Sequence, residues 1–168
     1  LEVGGDFYDF IPLDQNRTGI VIGDVSGKGV PAALYMAKLG SDMRTLAFTE
    51  RVPAEALMKL NDLLAGRSRR GMFATLLYIE LDAATGIMTL SNAGHLPPII
   101  KKADGSLVKV ETAGGAPLGM LPGMKLFQEE AKLEPGETVV LYTDGIIEAM
   151  NAKEELYGFE RFEELIKK

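Results

Sequence analysis

The sequence predicts an α+β domain of two mainly antiparallel sheets with helices packed outside them. Three observations carry this expectation. Strand-like runs stand on both sides of one central helical stretch, at residues 7–22 and again at 72–142. The links between neighbouring runs are short and turn-rich, as antiparallel hairpins require. No regular strand–helix–strand alternation runs through the chain, which argues against a doubly wound parallel sheet.

Residues 7–13 read as a strand ending at Asp14-Gln15-Asn16, a turn-forming cluster. Residues 18–22, apolar and β-branched, form its partner and stop at Gly23-Asp24, with Gly27 and Gly29 allowing the bend that follows. Pro31 fits the first turn of a helix. Ala32, Ala33, Leu34, Met36, Ala37 and Leu39 are good helix formers and carry it past Gly40 to about Phe48. Pro53 opens a second helix, with Ala56, Leu57, Leu60, Leu63 and Leu64 at helical spacing and Gly66 as its stop.

Beyond Gly71 the texture changes to strands. Residues 72–81 form one, closed by the turn Asp82-Ala83-Ala84-Thr85-Gly86, and residues 87–91 the next. Residues 96–101 and 107–110 flank Ala103-Asp104-Gly105-Ser106, a hairpin signal. Residues 125–133 alternate in polarity, Glu134-Pro135-Gly136-Glu137 is a turn, and 138–142 read as a buried strand. A short helix at 146–150 and a longer one at 159–168 close the chain. The methionines read as core filler.

A chain of 168 residues indicates one domain, and 46% hydrophobic with 25% charged residues is the balance of a soluble globular protein. Its core needs no disulfide or structural zinc. The absence of cysteine excludes a thiol nucleophile and any Cys-based metal site. A net charge of −6 with no long basic block argues against nucleic-acid binding. Arg67-Ser68-Arg69-Arg70 is the densest basic stretch, short and loop-like, suited at most to gripping an acidic partner. No apolar run is long enough to span a bilayer and no signal peptide opens the chain, so a cytoplasmic setting without membrane contact is expected. The chain begins without Met, inside a motif, which points to a single domain excised from a longer protein.

The chemistry concentrates in three acidic islands: Gly4-Gly5-Asp6-Phe7-Tyr8-Asp9, Gly23-Asp24-Val25-Ser26-Gly27-Lys28-Gly29 and Leu141-Tyr142-Thr143-Asp144-Gly145. In each, an aspartate stands beside glycine at the edge of a strand-like run, where its carboxylate can leave the sheet. One such aspartate is ordinarily a turn former. Three suggest one divalent-metal centre, because clustered carboxylates need a counter-charge and oxygen donors suit Mg²⁺ or Mn²⁺. Asp9 is the weakest member, either supporting the site or lying on the surface. The glycine loop is no Walker phosphate loop, since Gly29 stands where Ser or Thr must follow Lys28. Gly27 and Lys28 still precede a helix start that favours an anion, although a solvated loop lysine is the commoner explanation of Lys28. His95, the only histidine, could serve as a general acid or a ligand but beside Pro97-Pro98 reads more often as structural, and Ser26 has no nucleophile-elbow context.

Taken together these residues resemble the SpoIIE/RsbU-like bacterial serine phosphatases, a branch of the metal-dependent type 2C (PPM) protein phosphatases. The resemblance rests on residues 2–9 (Glu2 and Val3 onward), residues 23–29, Met72-Phe73-Ala74-Thr75, Asn92-Ala93-Gly94-His95, Pro117-Leu118-Gly119, Tyr142-Thr143-Asp144-Gly145 with Glu148 and Asn151, and Tyr157-Gly158-Phe159. These run in family order over nearly the whole chain.

The resemblance implies a four-layer α-β-β-α sandwich with a pair of Mn²⁺ or Mg²⁺ ions at one end. Asp24 would bridge the two ions with the Val25 backbone carbonyl beside it, Asp6 would serve the second ion and Asp144 the first. The implied substrate is a phosphoserine or phosphothreonine protein of the anti-sigma-factor-antagonist type, the implied regulator an upstream sensor domain, and a homodimer is possible. Two departures stand out. Ser26 occupies the position where eukaryotic type 2C enzymes carry a histidine, so the proton donor to the leaving serine is unassigned. A final strand with an Asp-Asp motif, usual in the family, does not follow residue 168. A catalytically impaired binding module of the same fold is the alternative. The helical pair follows directly on Asp24, which suggests that a shift at Pro31 couples regulation to metal loading.

Overall fold

The computed structural model describes residues 4–65 and 71–168. Glu2 and Val3 of the first motif, the expected helix stop Gly66, and Arg67-Ser68-Arg69-Arg70 lie outside the described residues. The elements in chain order are β1 (Phe7–Pro12), β2 (Arg17–Val25), α1 (Val30–Thr49), α2 (Pro53–Ala65), β3 (Ala74–Asp82), β4 (Ile87–Ala93), β5 (Ile99–Lys101), β6 (Leu107–Lys109), β7 (Glu129–Lys132), β8 (Thr138–Val140), α3 (Asp144–Ile147) and α4 (Phe159–Lys167).

Two sheets form, one in the order β1-β2-β3-β4-β7 and one in the order β6-β5-β8. Every pairing between named strands is antiparallel, as the short connections predict. The two-residue period of a strand sorts each sheet's side chains onto opposite faces. From β2 and β3, Val21, Val25, Leu76 and Tyr78 join Leu39, Met43, Leu57, Leu60 and Leu64 of α1 and α2 in one core. From the same strands Ile20, Ile22, Leu77 and Ile79 face the other way, with Met88 and Leu90, to meet Ile100, Val110, Val139 and Leu141 of the second sheet. That sheet's outer face, with Ile99, Val140 and Tyr142, is covered by Phe159, Phe162 and Ile166 of α4. The result is four layers, α-β-β-α, as the resemblance implies.

The helices form where propensity and capping place them. α1 has Pro in its first turn and ends at Glu50, whose backbone N–H still reaches the Leu46 carbonyl. Leu57 of α2 is fully buried at the centre of the first core. Leu57→Ala therefore costs about 2–5 kcal/mol of unfolding free energy, measured by chemical denaturation.

The structure corrects several details of the sequence reading. β2 does not stop at Gly23-Asp24 but runs to Val25, with Asp24 opposite Thr75 and Val25 opposite Ala74. Gly23 permits this, because a Cβ there would lie 2.6 Å from both the Leu76 side chain and the Thr75 carbonyl. The strand expected at 138–142 pairs only over Thr138–Val140 and is partly exposed rather than buried. The expected 125–133 strand contracts to Glu129–Lys132, and α3 starts at Asp144, two residues before the expected helix. Met43 and Met88 are core residues, whereas Met120 and Met150 are largely exposed, so core filler describes only part of the set.

Candidate metal centre

β2 delivers Asp24 to the site. It shares the strand face of Ile20 and Ile22, so its side chain emerges at the end of the gap between the two sheets. Its partner Thr75 on β3 lines the same mouth, a cavity of about 130 Å³ bounded also by Gly94, His95, Leu96 and Asp144. Asp144 arrives from the second sheet, at the first residue of α3 just beyond β8. Asp6 approaches from the residues before β1 and accepts a hydrogen bond from the Thr143 hydroxyl at 2.7 Å. Residues 6, 24 and 144, far apart in the chain, thus come to one mouth.

Electrostatics report their closeness. The Asp24 carboxyl is raised from 3.8 to about 6, by desolvation first and then by a carboxyl–carboxyl hydrogen bond and repulsion from Asp6, with Asp144 adding to it. Asp24 is half-buried, while Asp6 and Asp144 are exposed. Among the described residues no three acidic or histidine groups enclose a single ion as they are placed. The donor set nonetheless fits hard divalent cations: three carboxylates and a backbone carbonyl, with no soft ligand among them.

Gly5 sharpens that fit. A Cβ on Gly5 would stand 2.3 Å from the Val25 carbonyl oxygen and 2.9 Å from Asp24 Oδ1. The first island is therefore pressed against the second at the two oxygens the resemblance assigns to metal, and the Val25 N–H donates to the Gly5 carbonyl at 3.3 Å. Gly145 sits in turn 3.4 Å, by the same measure, from Asp6 Oδ2. Gly5 and Gly23 are packing requirements here, whereas Gly145 is in ordinary contact with the Asp6 side chain.

The remaining candidates separate clearly. Asp9 does not join the site; it faces α1 and takes a two-oxygen ion pair from Arg44 Nη2, at 2.6 Å to each oxygen. Ser26 clips its loop to the approach of β3, its hydroxyl accepting from the Phe73 N–H at 2.9 Å and its own N–H donating to the Phe73 carbonyl at 2.8 Å. Gly27 and Lys28 lie exposed on the loop after β2, with Gly27 at φ +94°. His95, expected to be structural, lies in the wall of the site beside Thr75, and neither residue stood out as functional in sequence. Both belong to motif segments that carry the family resemblance, which is the only signal that could have found them.

The chain matches the description Stage II sporulation protein E (SpoIIE) over residues 14–168. The chain belongs to the SpoIIE family. Phosphoserine phosphatase RsbU of Bacillus subtilis is 32% identical over 88% of this chain and 44% of its own length. The solved structure of the RsbU and RsbW domains of Rv1364c from Mycobacterium tuberculosis is 32% identical with a TM-score of 0.81, covering 97% of this chain and 45% of that one. The SiaA-PP2C domain of Pseudomonas aeruginosa, at 23% identity, 98% and 66% coverage and a TM-score of 0.81, shows the same fold. The four-layer sandwich is thus that of the type 2C-like phosphatases. The chain spans under half the length of the curated relatives it matches. Among the described residues no helix is long and apolar enough to cross a membrane.

Proposed function

We propose that this SpoIIE-family chain is a metal-dependent protein serine/threonine phosphatase. The observation that carries the reading is the convergence of Asp6, Asp24 and Asp144, with the Val25 carbonyl, at the mouth between the sheets. Named phosphoserine phosphatases among its relatives support the reaction class. Two divalent cations, Mn²⁺ or Mg²⁺, would be held by those oxygens and supply there an acidified water and neutralisation of phosphoryl charge.

The chain's own residues define the rest. The mouth is about 130 Å³, room for a phosphorylated side chain but not for a large small-molecule ligand. Asp6 and Asp144 stand exposed at its rim, so the site opens to a substrate presented on a protein surface. Gly27 and Lys28, exposed on the loop that follows Asp24, would meet the phosphate, the lysine supplying a positive charge. Water attacks phosphorus, the P–O bond to the serine breaks, and the serine oxygen leaves and takes up a proton. Neither Ser26 nor any cysteine serves as nucleophile, since Ser26 is committed to Phe73 and cysteine is absent.

The substrate class is a phosphorylated anti-sigma-factor antagonist. Support comes from RsbU and RsbP among the relatives and from the pairing of RsbU and RsbW domains in Rv1364c. Partner switching in the cytoplasm, under an upstream sensor domain and through a homodimer, completes the proposal.

Manganese-dependent release of phosphate from a phosphoserine protein tests it. Release by the wild type, absent with chelator, supports the reading, and a protein inert at saturating manganese contradicts it. A second reading, a phosphatase-fold binding module, is favoured by one observation: among the described residues no three acidic groups enclose an ion as they stand. That module would bind the phosphoprotein without turnover.

A further inference from the structure

His95 is 8% exposed, and the segment that carries it is built to aim its ring. Buried Asn92 clamps its backbone twice, Oδ1 accepting from the His95 N–H at 2.8 Å and Nδ2 donating to the His95 carbonyl at 2.9 Å. Gly94 turns the chain at φ +75°, where an added Cβ would stand 3.1 Å from the Gly115 carbonyl and from Pro117. The ring then faces two ways. Nδ1 lies 2.9 Å from the Thr75 hydroxyl, on the strand position opposite Asp24. Nε2 is closed off from solvent and has no partner within ordinary hydrogen-bond geometry. The backbone of Tyr142, two residues before Asp144, lies against the ring as an acceptor that favours its protonated form.

We infer that His95 is a positioning residue: its ring spans from Thr75, beside Asp24 on the first sheet, to the Tyr142 carbonyl on the second, and so sets the separation of Asp24 and Asp144. The inference rests on the metal-centre reading above for its function, but the strut itself does not. Only one proton arrangement satisfies both ends. If Thr75 donates to Nδ1, the Nε2–H points at a carbonyl acceptor. If Nδ1 carried the hydrogen, the bare Nε2 lone pair would face that carbonyl, with no donor for either. Burial pushes the ring's pKa down, against smaller upward pulls from Tyr142, Asp144 and Asp6. Its closure from solvent also removes it as a direct proton donor to substrate. A buried imidazole that fixes a neighbouring ligand segment acts on a metal site at one remove, where loss of such a partner typically costs 10–100-fold in affinity or activity.

The chain has a single histidine, so ¹⁵N NMR of histidine-labelled protein reports on this ring alone. The expected spectrum is the Nε2–H tautomer, with Nδ1 as acceptor; the Nδ1–H tautomer overturns the strut whatever the metal does. Manganese titration calorimetry then reads the function. His95→Ala is expected to lose about 10–100-fold in affinity. His95→Gln, whose side-chain amide can still donate towards Tyr142, recovers most of it. Wild-type affinity in His95→Ala, with the variant shown folded by a cooperative thermal transition, refutes the positioning role. If His95→Ala does not fold, Thr75→Val gives the same reading from the other end of the strut. A wild type that binds no manganese yet shows the Nε2–H tautomer refutes the metal reading and leaves the strut standing.

Discussion

Asp24→Asn will abolish manganese-dependent phosphatase activity while leaving the protein folded. Asp24 is the only one of the three aspartates drawn partly into the gap between the sheets, and it is pressed by both of the others. An amide keeps the shape but removes the charge that holds a cation. Losing about 4 kcal/mol of transition-state stabilisation, at 1.36 kcal/mol per tenfold, corresponds to a drop of roughly a thousandfold in kcat/KM. Stability moves the other way. With chelator present, the Asp24 carboxyl is raised from 3.8 to about 6, so the folded protein holds a proton that the unfolded chain has already lost. That contribution is complete below about pH 4 and is lost as pH rises through about 6. The metal-free wild type should therefore lose stability across that window relative to Asp24→Asn, and the variant should be the more stable at pH 7. Thermal melts at pH 4 and pH 7 with chelator check this. Equal pH dependence of the two proteins would mean that neither burial nor Asp6 and Asp144 raise the Asp24 carboxyl in the folded protein.

Gly5→Ala carries the second large effect. The requirement at Gly5 is for space, not for a left-handed backbone, since the intruding Cβ would lie 2.3 Å from the Val25 carbonyl oxygen and 2.9 Å from Asp24 Oδ1. Both atoms belong to the site, and the carbonyl is backbone that cannot turn aside as a side chain would. The first island must move outward, carrying Asp6 and breaking its 2.7 Å contact with Thr143. Overpacking of this kind costs about 1–3 kcal/mol of stability. Manganese affinity should fall further than stability does, by at least tenfold, because two of the proposed ligand groups shift together. Gly40→Ala is the control: a Cβ on Gly40, within α1, meets nothing within 4 Å. It should leave metal affinity unchanged and, by helix propensity, raise stability by about 0.5–1 kcal/mol.

The fold was largely legible because its elements are written in local pattern. The apolar, β-branched run through residues 18–22 becomes in the structure two faces of one strand serving two different cores. Where the reading failed, distant partners decide. Gly23-Asp24 has the local look of a turn, yet the strand continues because β3 offers Thr75 and Ala74 as pairing partners fifty residues away. Asp9 shares the glycine-rich island of Asp6, and nothing nearby in sequence reveals Arg44, which claims it. The strand alternation does separate the two: Asp9 shares its face with Ile11, which lies in the helix-side core.

The site was legible in its acids and not in its support. A carboxylate beside glycine at a strand end reads singly as a turn former, and only its repetition at Asp6, Asp24 and Asp144 suggested one centre. The role of His95 depends on Thr75, twenty residues earlier, and on Tyr142, nearly fifty later, and a lone histidine beside prolines shows neither. Gly5 appeared in sequence only as a neighbour of Asp6, and only the three-dimensional approach of Val25 shows why no larger residue fits.

Crystals of the protein soaked in manganese, with anomalous scattering recorded at the manganese absorption edge, test the central claim most directly. The account predicts anomalous peaks at the mouth between the sheets, within ligand distance of the side-chain oxygens of Asp24, Asp6 and Asp144 and of the Val25 carbonyl. A mouth without peaks at saturating manganese, or peaks held by other residues, would contradict it.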